Sequence, residues 1–458
     1  MLGVVLAVVA SAGATTRPDL SLHSCRLAGG ITALCGRLDV PENRSQSAGR
    51  RISLRVAVIP ARGQSRAPDP LVYLAGGPGG SAVDAASGML SAFTGINAHR
   101  DIVFLDQRGT GGSNAIQCPP PGKLAPTEAT VKAYVRRCID GLNADPTQYT
   151  TVPAMDDLAV VIRALGYRQV NLYGGSYGAT AAQYFLAQHP ELVRSAILDG
   201  ATLLDVPIFE RLAPNGERGL RSILRRCERS PRCATAYPRA RHESFEMIDR
   251  LRRKPVRVQR TLIDAPTAAG VVQFLTRSPE GAAQIPWIAH SAVTGDWRPL
   301  ALALDRAGAA PQGSRQVMYM SIVCNEPWAQ WRPKRVAAAA AGTYLAERAT
   351  TEARLVAAAC AAVPKVSQPE WSRRRVHSDA AVLFVVGGDD PQDPVSHVAH
   401  ASRELPNSRT VVVPGAAHGA VQLGCIPRLA QAFVAGGTAR GLDTRCAKGY
   451  KPPPFVIP

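Results

Sequence analysis

Apart from its first few residues, this 458-residue sequence has no hydrophobic run approaching the length needed to span a bilayer. The apolar segment Leu2–Val9 is itself too short, and Ala10-Ser11-Ala12 and Ala12-Gly13-Ala14 follow it. Both are small-x-small patterns of the kind cleaved after a secretory leader. We expect residues 1–14 to be a signal peptide, with no stable membrane span once it is removed. C-x-x-C pairs are also missing, although the chain has ten cysteines, and zinc and thioredoxin readings lose their spacing with them. The cysteines fall instead into near neighbours: Cys25 with Cys35, Cys118 with Cys138, Cys227 with Cys233, Cys324 with Cys360, and Cys425 with Cys446. Disulfides paired by that proximity imply an oxidising compartment, secreted or periplasmic. Aromatic residues are scarce, at 5%, and none interleave with a long basic run. The formal net charge of +18 therefore reads as a solvated basic surface, with short clusters such as Arg225-Arg226 and Arg373-Arg374-Arg375, and not as a nucleic-acid footprint.

What is present is organised around Val170-Asn171-Leu172-Tyr173-Gly174-Gly175-Ser176-Tyr177-Gly178. An apolar run enters G-x-S-x-G, and an Ala-rich helical pattern follows, the strand–turn–helix setting of a nucleophile elbow. A serine that attacks a carbonyl must stand clear of the backbone on a turn too tight for flanking side chains, which Gly174 and Gly178 permit. The amide of Tyr177, at the helix start, then faces a developing oxyanion. Over these five residues alone, a glycine turn whose serine merely caps a helix would look the same.

The rest of the chain removes that ambiguity. Ile52–Ile59 alternates as a half-exposed strand, and Leu71–Leu74 reads as a buried strand running into Ala75-Gly76-Gly77-Pro78-Gly79-Gly80. Neither phosphate-loop spacing, G-x-x-x-x-G-K-[ST] nor G-x-G-x-x-G, is found there, so no nucleotide cofactor is implied. The Gly77 amide is a candidate second oxyanion donor. Ile102–Leu105 is a further buried strand, ending in Asp106-Gln107-Arg108-Gly109-Thr110-Gly111, where we expect Asp106 and Arg108 to pair. Asp156-Asp157 opens a helix that Gly166 stops. Strand and helix alternate through Asp199, which argues for a mostly parallel sheet. From 203 to 375 helical stretches dominate, a helical cap inserted into the sheet's chain order. Inside it an apolar run ends at Glu326 beside Trp328. The sheet resumes with Val382–Val386, closed by Asp389-Asp390-Pro391, and Thr410–Val413 leads to His418. Ser176, Asp390 and His418 each follow a strand, in the chain order of an α/β-hydrolase triad. The implied layout is a core over 15–202 and 376–458 around the insertion at 203–375.

These motifs carry a family resemblance. Gly76-Gly77-Pro78-Gly79-Gly80, Asp106-Gln107-Arg108-Gly109-Thr110-Gly111, Gly174-Gly175-Ser176-Tyr177-Gly178 and the Asp390 and His418 loops resemble the proline iminopeptidase family of α/β-hydrolases. With His418-Gly419, Cys425 and Cys446, the chain is more closely similar to the secreted tripeptidyl aminopeptidases. The resemblance implies a serine aminopeptidase acting on short peptides without metal or cofactor. Ser176 would be nucleophile, His418 base, Asp390 its orienting acid, Gly77 and Tyr177 the oxyanion hole, and Glu326 the partner of the substrate's α-ammonium. Proline iminopeptidases carry a histidine before the Gly-Gly-Pro-Gly, where this chain has Ala75, a departure that bears on prolyl specificity. A carboxylesterase or lipase of the same fold is the alternative, since one triad serves both bonds.

Overall fold

The computed structural model describes residues 20–46, 48–119, 126–308 and 316–457, so the expected signal peptide lies outside the described residues. The strands are β1 His23–Arg26, β2 Thr32–Pro41, β3 Arg51–Ile59, β4 Leu71–Leu74, β5 Ile102–Leu105, β6 Val170–Gly175, β7 Val193–Asp199, β8 Val256–Val258, β9 Thr261–Ile263, β10 Ala381–Gly387 and β11 Ser408–Val413. Nine of them form one sheet in the order β1-β2-β3-β5-β4-β6-β7-β10-β11. From β5 to β11 every neighbouring pair is parallel, and β1, β2 and β3 add antiparallel on the other side. The interior strands β4, β5 and β10 are buried at every residue, as unbroken apolar runs should be when helices cover both faces of a parallel sheet. Two hydrophobic cores result, one on each face.

The segment Cys25–Cys35 forms the β1–β2 hairpin, with Cys25 opposite Ala33 and His23 opposite Cys35. One expectation changes: the helix expected to start at Asp156 begins at Thr151, and Asp157 lies buried within it. The helical stretches between 203 and 375 include Pro333–Ala340 and Ala346–Cys360.

Between β7 and β10 the described chain is helical except for the small β8–β9 hairpin. This block has its own hydrophobic core, including Leu220, Leu224, Met247, Leu251, Val272, Leu275 and Ile288. Its first helix, Ile208–Arg229, crosses the loop after β10 with one face. Asn215 donates to the Gln392 carbonyl, Arg218 to the Asp390 carbonyl, and Ser222 to the Asp389 carboxylate. Residues three and four apart share a helix face, so this spacing lays one stripe along the loop.

The five disulfides join Cys25–Cys35, Cys118–Cys138, Cys227–Cys233, Cys324–Cys360 and Cys425–Cys446. No helix among the described residues is long and apolar enough to cross a membrane.

Candidate active site

Ser176 sits between β6 and the helix Tyr177–Gln188 with φ 56° and ψ −125°. A left-handed φ at a residue with a side chain costs about 1–3 kcal/mol and persists only where the surroundings enforce it. Here the Ser176 amide donates to the Asp199 carbonyl at 2.8 Å, while the Ala179 amide donates to the Ser176 carbonyl at 2.8 Å. Gly178 must lack a side chain, because a Cβ there would lie 2.2 Å from the Leu74 carbonyl oxygen. Strand β4 and the elbow therefore pack backbone to backbone, which brings Gly77 and Pro78 to the cavity that Ser176 and Tyr177 also line.

The loops after β10 and β11 supply an acid and a base. His418 Nδ1 lies 3.0 Å from Asp390 Oδ2 and 3.5 Å from Asp393 Oδ2. The other oxygen of Asp390 accepts from the amides of Gln392 and Asp393 at 2.8 and 2.9 Å. The imidazole packs against Gly200 at the end of β7, where a Cβ would stand 3.1 Å from Nδ1 and Cε1. Ser176 and His418 thus abut the same Asp199–Gly200 corner. The Nε2 atom of His418 is buried and has no hydrogen-bond partner among the described residues. Burial pulls the basicity of His418 down, and the carboxylates of Asp390 and Asp393 overcome that pull, leaving its pKa above the usual 6.5. The base is therefore lost as pH falls through that raised value. Burial alone would raise the Asp390 pKa, but the imidazole and the two amides hold it below the usual range.

Asp199, noted in the sequence only as a strand end, anchors the His418 loop. Its buried carboxylate accepts from the amides of Ala420 and Val421 and from the Tyr173 hydroxyl at 3.0 Å. Nothing in the local sequence marks that role, since the partners lie about 220 residues away in the chain.

Two expectations about acids need correction. Asp106 and Arg108 do not pair with each other. Asp106 accepts from Ser81 Oγ and the amides of Val83 and Gly112, with Arg55 at 3.5 Å. Arg108, fully buried, donates twice to Asp157, at 2.7 and 2.8 Å, and once to the Glu42 carbonyl. Glu326 is wholly buried and does not line the cavity. Its oxygens accept from the Thr151 amide at 2.6 Å, the Thr151 hydroxyl at 2.8 Å and the Trp328 indole at 2.6 Å. A substrate ammonium has no open oxygen to meet there. The carboxylate stands behind the wall formed by Tyr177 and Trp328.

The cavity holds about 590 Å³. One side is the elbow and the Pro391–Asp393 loop; the other comes from the helical block, with Ile208, Phe209, Leu212, Phe274 and Leu304. Arg277 and Arg348 also reach it, and Arg348 is paired with Glu352 at 2.5 Å.

The sheet order and the elbow between β6 and its helix define an α/β-hydrolase fold. Residues 69–225 match the family described as alpha/beta hydrolase fold, and residues 347–446 match the family described as TAP-like protein. More particularly, the chain is 30% identical over 188 residues to serine protease Hip1 of Mycobacterium tuberculosis, covering 37% of this chain and 36% of that protein. It is 29% identical over 185 residues to a tripeptidyl aminopeptidase of Streptomyces coelicolor, covering 36% and 34%. It is 32% identical over 187 residues to carboxylesterase B of Mycobacterium tuberculosis, covering 39% and 33%. The matched stretch spans about a third of the length of each relative.

Proposed function

We propose that this protein is an exported serine hydrolase that cleaves short peptides near their free N-terminus. The observation carrying this reading is the buried His418–Asp390 pair, whose free Nε2 lies at the corner that also fixes Ser176. Ser176 Oγ attacks the scissile carbonyl carbon and its proton passes to Nε2, while Asp390 holds the imidazole in the tautomer that can accept it. The oxyanion takes the amides of Gly77 and Tyr177. The amine leaves with the proton from His418, and water, activated by the same base, releases the acyl group as a carboxylic acid. None of these steps calls for a metal or a cofactor. The peptide preference is supported by the similarity to the TAP-like family and to relatives named as a serine protease and a tripeptidyl aminopeptidase. Export is supported by the five disulfides.

Ester hydrolysis is the second reading, and one observation favours it. Glu326 is committed to Thr151 and Trp328, and the block's side of the cavity is largely apolar. The test is a panel of aminoacyl and tripeptidyl chromogenic amides, with free and acetylated N-termini, alongside a short-chain ester. Turnover of the free-amine amides alone, abolished by Ser176→Ala, is the expected outcome. Ester turnover with every amide intact would replace the peptidase reading by the esterase one.

A further inference from the structure

Asp393 has no part in the triad drawn from the sequence, yet its position is built. Oδ1 accepts from the Thr202 hydroxyl. The same hydroxyl lies 2.7 Å from Nδ1 of His397, whose Nε2 lies 3.0 Å from the side-chain nitrogen of Asn215. That nitrogen also donates to the Gln392 carbonyl at 3.1 Å, which fixes which end of the amide faces the ring. An amide nitrogen can only donate, so Nε2 of His397 accepts and the neutral ring carries its proton on Nδ1. His397 then donates to Thr202, and Thr202 has its single proton left for Asp393. Every proton in this buried chain points towards Asp393, so its Oδ1 is committed as an acceptor. The other oxygen, Oδ2, accepts from the Gln392 side chain at 3.3 Å and faces His418 Nδ1.

We propose that Asp393 is a second, positioning carboxylate for His418, so that the imidazolium formed in the reaction is met at Nδ1 by two acids instead of one. This rests on the Ser176–His418–Asp390 reading above. The charged and titratable groups facing this ring are Asp390 and Asp393 from the loop after β10, Asp199 from the end of β7, and Arg277 from the helical block, which opposes the acids. His397 lies beyond Asp393 at 3.7 Å. Asp389 is turned away, onto Ser222 and Arg226. A triad with a single acid loses about 10⁴-fold in turnover when that acid becomes an amide, because the imidazole is left in the wrong tautomer with no charge to stabilise its protonated form. Here the amide of an Asp390→Asn variant would still leave one carboxylate 3.5 Å from Nδ1.

The test needs no knowledge of the substrate. A fluorophosphonate forms a bond from phosphorus to Ser176 Oγ and releases fluoride, and the hydroxyl proton passes to His418 and then to solvent. Its second-order labelling rate would be measured across the pH range for the full chain and for Ser176→Ala, Asp390→Asn, Asp393→Asn and the double variant, with thermal melts on each. We expect Asp390→Asn to label about 10–100-fold more slowly than the parent, and the double variant to approach the full loss of about 10⁴-fold. Asp393→Asn alone should slow the plateau only a few-fold. It should also move the acid limb of the profile down by about one pH unit, as removal of a neighbouring opposite charge requires. A purely structural Asp393 would lower the melting temperature and leave that limb in place, which overturns the proposal. Equal rates for Asp390→Asn and the double variant, with Ser176→Ala unlabelled, would overturn it alone. Labelling that survives Ser176→Ala would remove the nucleophile assignment, and this inference with it.

Discussion

The carboxyl group of Glu326 is fully withdrawn from solvent, and burial pushes its pKa up to about 7 against the opposing hydrogen bonds from Trp328 and Thr151. Unfolded, the same group ionises near 4.5. Between those values the folded protein keeps a proton that the unfolded chain has released, so stability falls as pH rises through that window and levels off above it. The gap corresponds to about 3 kcal/mol, at roughly 1.4 kcal/mol per pH unit. Urea unfolding of the parent and of Glu326→Gln, from about pH 4.5 to pH 8, should show the parent losing that much relative to the variant between the two pKa values. A difference independent of pH would mean that the carboxyl is ionised throughout in the folded protein. Single residues differ in how far the sequence exposes their positions. The placement of Ser176, Asp390 and His418 is legible because each follows a strand, and strand ends converge in a parallel sheet. The burial of Glu326 is not legible, because Thr151, which covers it together with the neighbouring Trp328, arrives from 175 residues away in the chain.

At the scale of elements, one buried arginine ties a helix to two loops. Arg108, in the loop after β5, grips Asp157 on the helix Thr151–Ala164 with two hydrogen bonds, and donates to the Glu42 carbonyl at the end of β2. Both side chains are entirely buried, so removing one partner strands the other's charge away from water. Arg108→Leu should cost about 3–5 kcal/mol for that reason. Arg108→Lys should recover only part of it, since an ammonium cannot reproduce the two-pronged contact. Chemical denaturation of the three proteins checks both, and a loss below about 1 kcal/mol for Arg108→Leu would mean that Arg44, which also reaches Asp157, suffices. Most strands announce themselves: β3 by alternation, and β4, β5 and β10 by unbroken apolar runs. The β1–β2 hairpin is hidden because β1 has only four residues and none of them is buried, although Arg37 to Val40 of β2 alternate exposed and buried. Proximity in sequence pairs Arg108 with Asp106, whereas the fold supplies Asp157 from a helix 49 residues on.

No disulfide links the sheet to the helical block. Cys227–Cys233 and Cys324–Cys360 lie wholly within the block, and the other three lie outside it. The two halves of the cavity are therefore held in register by non-covalent contacts, and the chain's last described residues supply part of them. Pro452 packs on Gly415 in the His418 loop. Further along, Phe455 is buried in the block's core with the Arg226 guanidinium 4.7 Å from its ring centroid, while the Val456 amide donates to the Ala283 carbonyl at 3.0 Å and its carbonyl accepts from the Tyr237 hydroxyl at 2.9 Å. This strap thus joins the loop carrying His418 to the block that forms the opposite wall. Phe455→Ala would empty a buried aromatic site, a change worth about 3 kcal/mol. Its effect on function separates two ways the assembly could be built. If the strap holds the wall over the site, the variant should raise KM severalfold with kcat little changed, and expose the block's helices to limited proteolysis before the sheet is cut. If helix Ile208–Arg229 and its bonds to the Asp389–Gln392 loop suffice, melting temperature should fall while KM and the cleavage pattern stay as in the parent.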